Sequence, residues 1–372
     1  MTAPYLDPVL TPLREFALEP LRELVGPDRR VFLPFVGASL LIAVLVWWQK
    51  HRRHGTSLLR YLLPKRILLH RSSVFDLKWL AVRSFVLPLL SWPFKISAVA
   101  VMLWVSMHLR DTVGMPPWES PQDRAWIIGG FSVALFVADD YTRYWVHRTM
   151  HRVPALWELH KLHHSAEVLT PITLYRIHPI ESLLNQTRGV LTLGFVTGLF
   201  AWAFPGKLRA WEILGVEAIG FVWTALGANL RHSHVWLTWG RALEHLFISP
   251  AMHQVHHARA EAYVNKNFGS SLALWDWMAG SLFIAHGTRP VRVGIPRSEK
   301  NHALGAWSAL VDPLRAALRV LARGRGARAT SGGVVTPRLE PIADERAGGA
   351  ALGAGSAEGL YSPVDPAEIS RR

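Results

Sequence analysis

Residues 31–48 read VFLPFVGASLLIAVLVWW, a run of eighteen without one ionisable side chain. A bilayer core about 30 Å thick takes ~20 apolar residues of helix, because backbone polar groups find no water there and must bond within the segment. More such runs follow. Residues 80–109 are interrupted mainly by Arg83 and Lys95, 125–138 stay apolar up to Asp139, and 189–204 with 213–230 make two spans or a helical hairpin. Charged residues are only 18% of the chain and sit between these runs. The pattern predicts an all-α, polytopic membrane bundle of four or five helices. The polar stretches 147–178 and 231–286 then emerge on one side as a helical cap.

The formal net charge of +14 does not point to nucleic acid, because the cations lie beside the apolar runs. Lys50, Arg52, Arg53, Arg60, Lys65 and Arg66 follow the first run, which by the positive-inside rule makes that connector cytoplasmic. With no cysteine in the chain, disulfides and thiolate metal sites are excluded. We expect residues 1–75 to hold a short amphipathic lead-in, the first membrane helix and a basic connector. Residues 76–290 form the membrane and catalytic domain, and 291–372 a C-terminal segment whose Gly- and Ala-rich part, from about 323, is too poor in large apolar side chains to fold.

Twelve of the 18 histidines fall between His147 and His257, in spaced groups. HRTMH places His147 and His151 one helical turn apart. HKLHH contributes His160, His163 and His164, and HQVHH contributes His253, His256 and His257. Positions i, i+3 and i+4 share a helix face, so each group can aim several imidazole lone pairs at one point. His178 and His232, with His234 beside it, are single candidates between the groups. Eight motif histidines plus one or two singles are too many for one ion, which predicts a dinuclear site. All-nitrogen ligation suits iron, zinc or copper. Metal-bound imidazoles usually donate their other N–H to a carboxylate or carbonyl. Asp140, seven residues before His147 and near the same helix face, is expected to act at the site. Glu158, Glu181, Glu244 and Asp276 are further candidates.

The ordered motifs DYTRYWVHRTMH, HKLHHSAE, IHP, HSHV, MHQVHH and NFGSSLALWDWMAGS resemble the fatty acid hydroxylase and sterol desaturase superfamily of integral membrane di-metal oxygenases. The resemblance covers about 125–283. It implies a helical membrane domain with a cytosolic cap holding two iron ions, with O2 as co-substrate and zinc able to substitute in isolated protein. The implied ligands are His147, His151, His160, His163, His164, His178, His232, His253, His256 and His257. His234 stands where the family often has Asn. Where some members carry a further histidine, this chain has Ala228.

The chemistry implied is hydroxylation or desaturation of an unactivated C–H in a lipid that enters from the bilayer. Because no dinucleotide fingerprint, haem motif or iron–sulfur motif occurs, a separate electron donor (a reductase, ferredoxin or cytochrome) is expected. Two other readings compete. A histidine-rich membrane transporter or sensor would spread ionisable residues through the spans. A zinc-dependent membrane hydrolase would need fewer ligands and a glutamate base, and HExxH is absent.

Overall fold

The computed structural model describes residues 32–328, apart from 51, 92–96, 117–123, 209–217 and 289. The N-terminal lead-in and the segment beyond 328 lie outside the described residues. Helix α1 is Leu33–Lys50, followed by the short α2 (Leu58–Leu62) and α3 (Lys65–Leu68). Then come α4 (Arg71–Ser91), α5 (Ala98–Val113), α6 (Arg124–Arg152), α7 (Pro154–His164) and α8 (Pro179–Ala203). The chain continues through α9 (Ala218–Ala225), α10 (Arg241–Glu244), α11 (Pro250–His256) and α12 (Leu274–Met278) to α13 (Ala306–Arg328). The described residues hold no strand; two isolated antiparallel bridges, Phe247 with Leu272 and Ala258 with Val293, pin loops.

Of the described helices, only α1 is both long and apolar enough to cross a bilayer, by length and composition. Residues 189–203 lie in α8, and the described part of 213–230 holds the eight-residue α9 and the turn after it. Residues 125–138 are the first half of α6, which continues without a break through Asp139 and Asp140 to Arg152. The run 80–109 is divided between α4, which also carries Asp76, Lys78 and Arg83, and α5. The last helix extends to Arg328.

The tightest helix pair is α5 against α8. A Cβ placed on Gly194 would lie 2.5 Å from Val101 Cβ and 2.8 Å from the Ala98 carbonyl oxygen. One placed on Gly198 would lie 2.7 Å from Val105 Cβ. GFVTG is thus a small-xxx-small contact that lets two backbones approach, as membrane helices do. Elsewhere the core sits in the cap. Phe75, Trp79, Leu162 and Ala309 bury where α4, α7 and α13 meet, and Ala155, Leu159 and Ala317 continue that seam. A second cluster surrounds α11, with Ile248, Ala251, Met252 and Val255 wholly inaccessible. A buried ion pair, Arg176 Nε to Asp76 Oδ1 at 2.5 Å, holds the turn 171–175 on α4.

Candidate metal centre

Each predicted histidine group owes its direction to the apolar residues between its members. In α7, Ala155, Leu159 and Leu162 pack on α13 and α4, which fixes the helix rotation and turns His160, His163 and His164 to the opposite, buried side. Val153 is extended, and Pro154 opens the helix where a missing N–H does no harm. In α11, the Ser249 hydroxyl caps the first turn by accepting from the Met252 N–H, and Met252 and Val255 anchor the core. His253, His256 and His257 are left facing α7. The last turn of α6 brings His147 and His151, with rings 5.1 Å apart. Gly227, at φ +101°, starts the tight turn Ala228–His232 that delivers His232.

Two groups result. His147, His151, His160, His164 and His256 form one; His163, His232, His253 and His257 form the other. Within each, one ring nitrogen per residue lies within 4.8 Å of all the others. The second group is the tighter: His232 Nε2 is 3.3 Å from His163 Nε2, 3.2 Å from His257 Nε2 and 3.1 Å from His253 Nε2. One N–H cannot serve three neighbours. These separations match what ligands about 2.1 Å from a common ion would show, roughly 3.0–3.4 Å. The groups touch one another, the His164 and His257 rings stacking at 4.5 Å.

The tautomers support the same conclusion. His147 Nδ1 lies 2.8 Å from the Phe268 carbonyl oxygen, His256 Nδ1 2.8 Å from the Lys266 carbonyl oxygen, and His160 Nδ1 2.8 Å from Glu181 Oε1. A carbonyl or carboxylate only accepts, so Nδ1 carries the proton in all three and Nε2 keeps its lone pair. The Nε2 atoms of His151, His160, His164 and His256 are buried without any hydrogen-bond partner. A protein does not leave four lone pairs converging on nothing, since each unsatisfied buried polar atom costs about 1–3 kcal/mol. A cation fits them. Burial pushes His163 down to about 3 and holds His164, His253, His256 and His257 well below the usual histidine range; repulsion between the crowded rings adds to it. These five rings are therefore neutral at pH 7 and ready to ligate.

Comparison with known proteins agrees with this geometry. Residues 132–281 match the family model described as fatty acid hydroxylase. The segment belongs to the fatty acid hydroxylase family. That stretch begins within α6, ends just after α12, and contains all nine clustered histidines. Over 156 residues the chain is 31% identical to an ornithine lipid hydroxylase of Rhizobium tropici, covering 41% of each protein. It is 27% identical to human alkylglycerol monooxygenase over 215 residues, 56% of this chain and 42% of that one. A Δ7-sterol 5(6)-desaturase of Leptosphaeria maculans is 28% identical over 191 residues, 50% of this chain and 47% of that one. The chain thus spans less than half the length of these relatives. No solved structure matches it.

Within the hydroxylase domain, two expected site residues are placed elsewhere. Asp140 is buried, and its carboxylate accepts from Ser271 N (2.7 Å), Leu272 N (3.0 Å) and Trp275 Nε1 (2.9 Å). It staples the loop before α12 to α6 and none of its hydrogen bonds reaches a histidine; the partner of His147 is the Phe268 carbonyl instead. His178 is the N-cap of α8: its Nδ1 accepts from the Ile180 N–H, so Nε2 donates to the Leu310 carbonyl. Both its nitrogens are used, and it joins neither group. His234 hydrogen-bonds the Tyr61 carbonyl.

Of the other acids, Glu181 alone meets a clustered histidine. Asp276 accepts from Phe268 N and Gly269 N, and so shapes the loop whose carbonyl holds His147. Glu244 binds Ser249 and the His286 N–H, and Glu158 binds Lys161 and Asn301. The backbone acceptors at 266 and 268 had no side-chain signature. Their indirect signal is NKN: Asn265 and Asn267 adopt left-handed φ of 61° and 56°, a conformation asparagine tolerates, and this aims the Lys266 carbonyl at His256.

Proposed function

We propose that this protein is a membrane-bound, di-iron, O2-dependent oxidoreductase that hydroxylates or desaturates an unactivated C–H position of a lipid. The observation that carries the reading is the convergence of nine buried or half-buried imidazoles into two adjacent sets, three with Nδ1 committed to an acceptor and four with an unpartnered, buried Nε2. His147, His151, His160, His164 and His256 would hold one ion, and His163, His232, His253 and His257 the other. Iron with O2 supplies hydrogen-atom abstraction, a step for which no side chain is competent. Two electrons per turnover come from a separate reductase, ferredoxin or cytochrome.

The chain's own residues position and shield. Glu181 and the carbonyls of Lys266 and Phe268 orient three imidazoles, the arrangement that tunes metal sites from behind the ligands. A partly open groove runs from Val36, Leu40 and Ala43 of α1 past Leu174 and Leu230 to His232. Its walls are mainly aliphatic, and we assign it to the substrate's hydrocarbon chain. A flexible chain entering beside the membrane helix reaches the second ion there and excludes water.

The multi-pass arrangement is part of the proposal. Trp104 (66% exposed), Phe195 (57%) and Trp126 (77%) point outward from α5, α8 and α6, a pattern suited to lipid contact. Arg52 stacks 4.0 Å over Trp48 at the end of α1, a pairing suited to the headgroup level. The test is mass spectrometry of lipids from expressing cells, with and without the protein. A product heavier by one oxygen or lighter by two hydrogens, lost in His163→Ala, is the expected result; an unchanged lipid profile in the presence of a matched reductase would refute it.

A further inference from the structure

The cap surface around α10 and α12 is apolar in a way its packing does not require. Leu243 (49% exposed), Leu246 (56%), Leu274 (37%), Trp277 (64%) and Met278 (71%) form it. Backbone bonds hold the parts together: Ala273 N donates to the Leu246 carbonyl, and Phe247 pairs with Leu272. The patch does not float free of the bundle. Trp275 donates to Asp140 on α6 and packs its ring 5.0 Å from Tyr141, which with Trp145 is about half exposed on the same helix. Trp223 of the apolar helix α9 packs on Phe247 from the other side, at 5.3 Å. Tyr141 and Trp145 lie just past the apolar run 125–138, where aromatic rings mark the headgroup level.

Asp140, Glu244 and Asp276 are turned inward and buried, while Arg241 is exposed on α10, the helix that carries Leu243. Exposed aromatic and aliphatic side chains with a cation among them suit the boundary between anionic headgroups and acyl chains.

We propose that the surface of α10 and α12 is immersed in the bilayer interface, so that the cap is seated in the membrane as well as attached to it. The inference rests on the membrane-bound reading above. It has a structural consequence: the segment 266–276, which supplies the acceptors for His147 and His256, is anchored both to α6 through Asp140 and to lipid through Trp277 and Met278. The metal groups are thereby held at a fixed depth.

The absence of cysteine makes the test direct. Single variants Leu246→Cys, Met278→Cys, Leu41→Cys and Ser298→Cys of the full chain are labelled with a nitrobenzoxadiazole dye in nanodiscs containing phosphatidylglycerol. Quenching by iodide and by lipid carrying a shallow nitroxide is then read. Leu41 lies exposed on α1 and Ser298 is exposed in the polar loop before α13. Labels at 246 and 278 are expected to match Leu41 in lipid quenching and to be several-fold less iodide-sensitive than the label at 298. Iodide quenching equal to that at 298 overturns the proposal, as does protection from both quenchers, which would mean that protein covers the patch. If the Leu41 label also fails to meet lipid, the membrane-bound reading fails instead. Unchanged metal content in each labelled variant verifies that it is folded.

Discussion

Asp140→Ala separates a structural staple from a catalytic acid. The carboxylate receives three hydrogen bonds from Ser271 N, Leu272 N and Trp275 Nε1, all in a buried setting. Hydrogen bonds to a charged group contribute about 1.5–3 kcal/mol each, but they are not additive when one side chain makes all of them. Removing the carboxylate leaves three buried donors without an acceptor, at roughly 1–3 kcal/mol per stranded group a cost of about 3–5 kcal/mol. With an unfolding entropy of about 2.1 cal/mol/K per residue, a chain of 372 residues then loses roughly 4–6 °C in its unfolding midpoint. Asp140→Asn should lose less, because one amide oxygen still accepts while its NH2 opposes a backbone donor. The assays are thermal unfolding in detergent at fixed scan rate and metal content of the same samples. The staple account predicts a large drop in midpoint with metal still bound, more weakly, because the Phe268 carbonyl behind His147 loosens. An Asp140→Ala protein that melts within a degree or two of the parent yet holds no metal would refute it.

Three further outcomes follow from the packing and the charges. Gly194→Ala puts a methyl group 2.5 Å from Val101 Cβ and should destabilise by about 1–3 kcal/mol, whereas Gly189→Ala on the same helix meets nothing within 4 Å and should be neutral or stabilising; equal melting of the two would undo the close-packing argument. Glu181→Gln keeps the shape but weakens the acceptor on His160, so metal affinity in a chelator competition should fall about 10–100-fold with the fold intact, and unchanged affinity would dismiss Glu181 as a positioning residue. Burial holds His302 at about 4 and His163 at about 3 in the metal-free protein, so below the unfolded value of about 6.5 the unfolded chain binds more protons; stability should be flat above that pH and decline steadily beneath it, which unfolding midpoints from pH 8 to 4 would check.

Much of the site could be read in advance because imidazole spacing on a helix is a geometric statement. HKLHH and HQVHH each put three rings on one face. What sequence could not reveal was which loop would approach. Asp140 shares the phase of His147 on α6, but helix phase says nothing about the loop 266–276 that comes in from more than a hundred residues away, taking the carboxylate for itself and giving His147 a carbonyl. His178 stands apart from both groups for a local reason: before Pro179 it caps a helix, and both its nitrogens are engaged. The apolar runs 31–48 and 125–138 fall on helices, but 125–138 did not show where its helix ends, since α6 passes from an apolar half into a polar one without a break. The GFVTG spacing on α8 takes its meaning only from the partner helix α5, against which both glycines close.

Metal counting on purified protein bears most directly on the two-set arrangement. Elemental analysis of the full chain, reconstituted anaerobically with ferrous iron, should give two ions per chain. His160→Ala and His163→Ala, one from each set, should each fall to one or fewer while remaining folded. A parent protein that holds a single ion, or two variants that both keep two, would contradict the central claim.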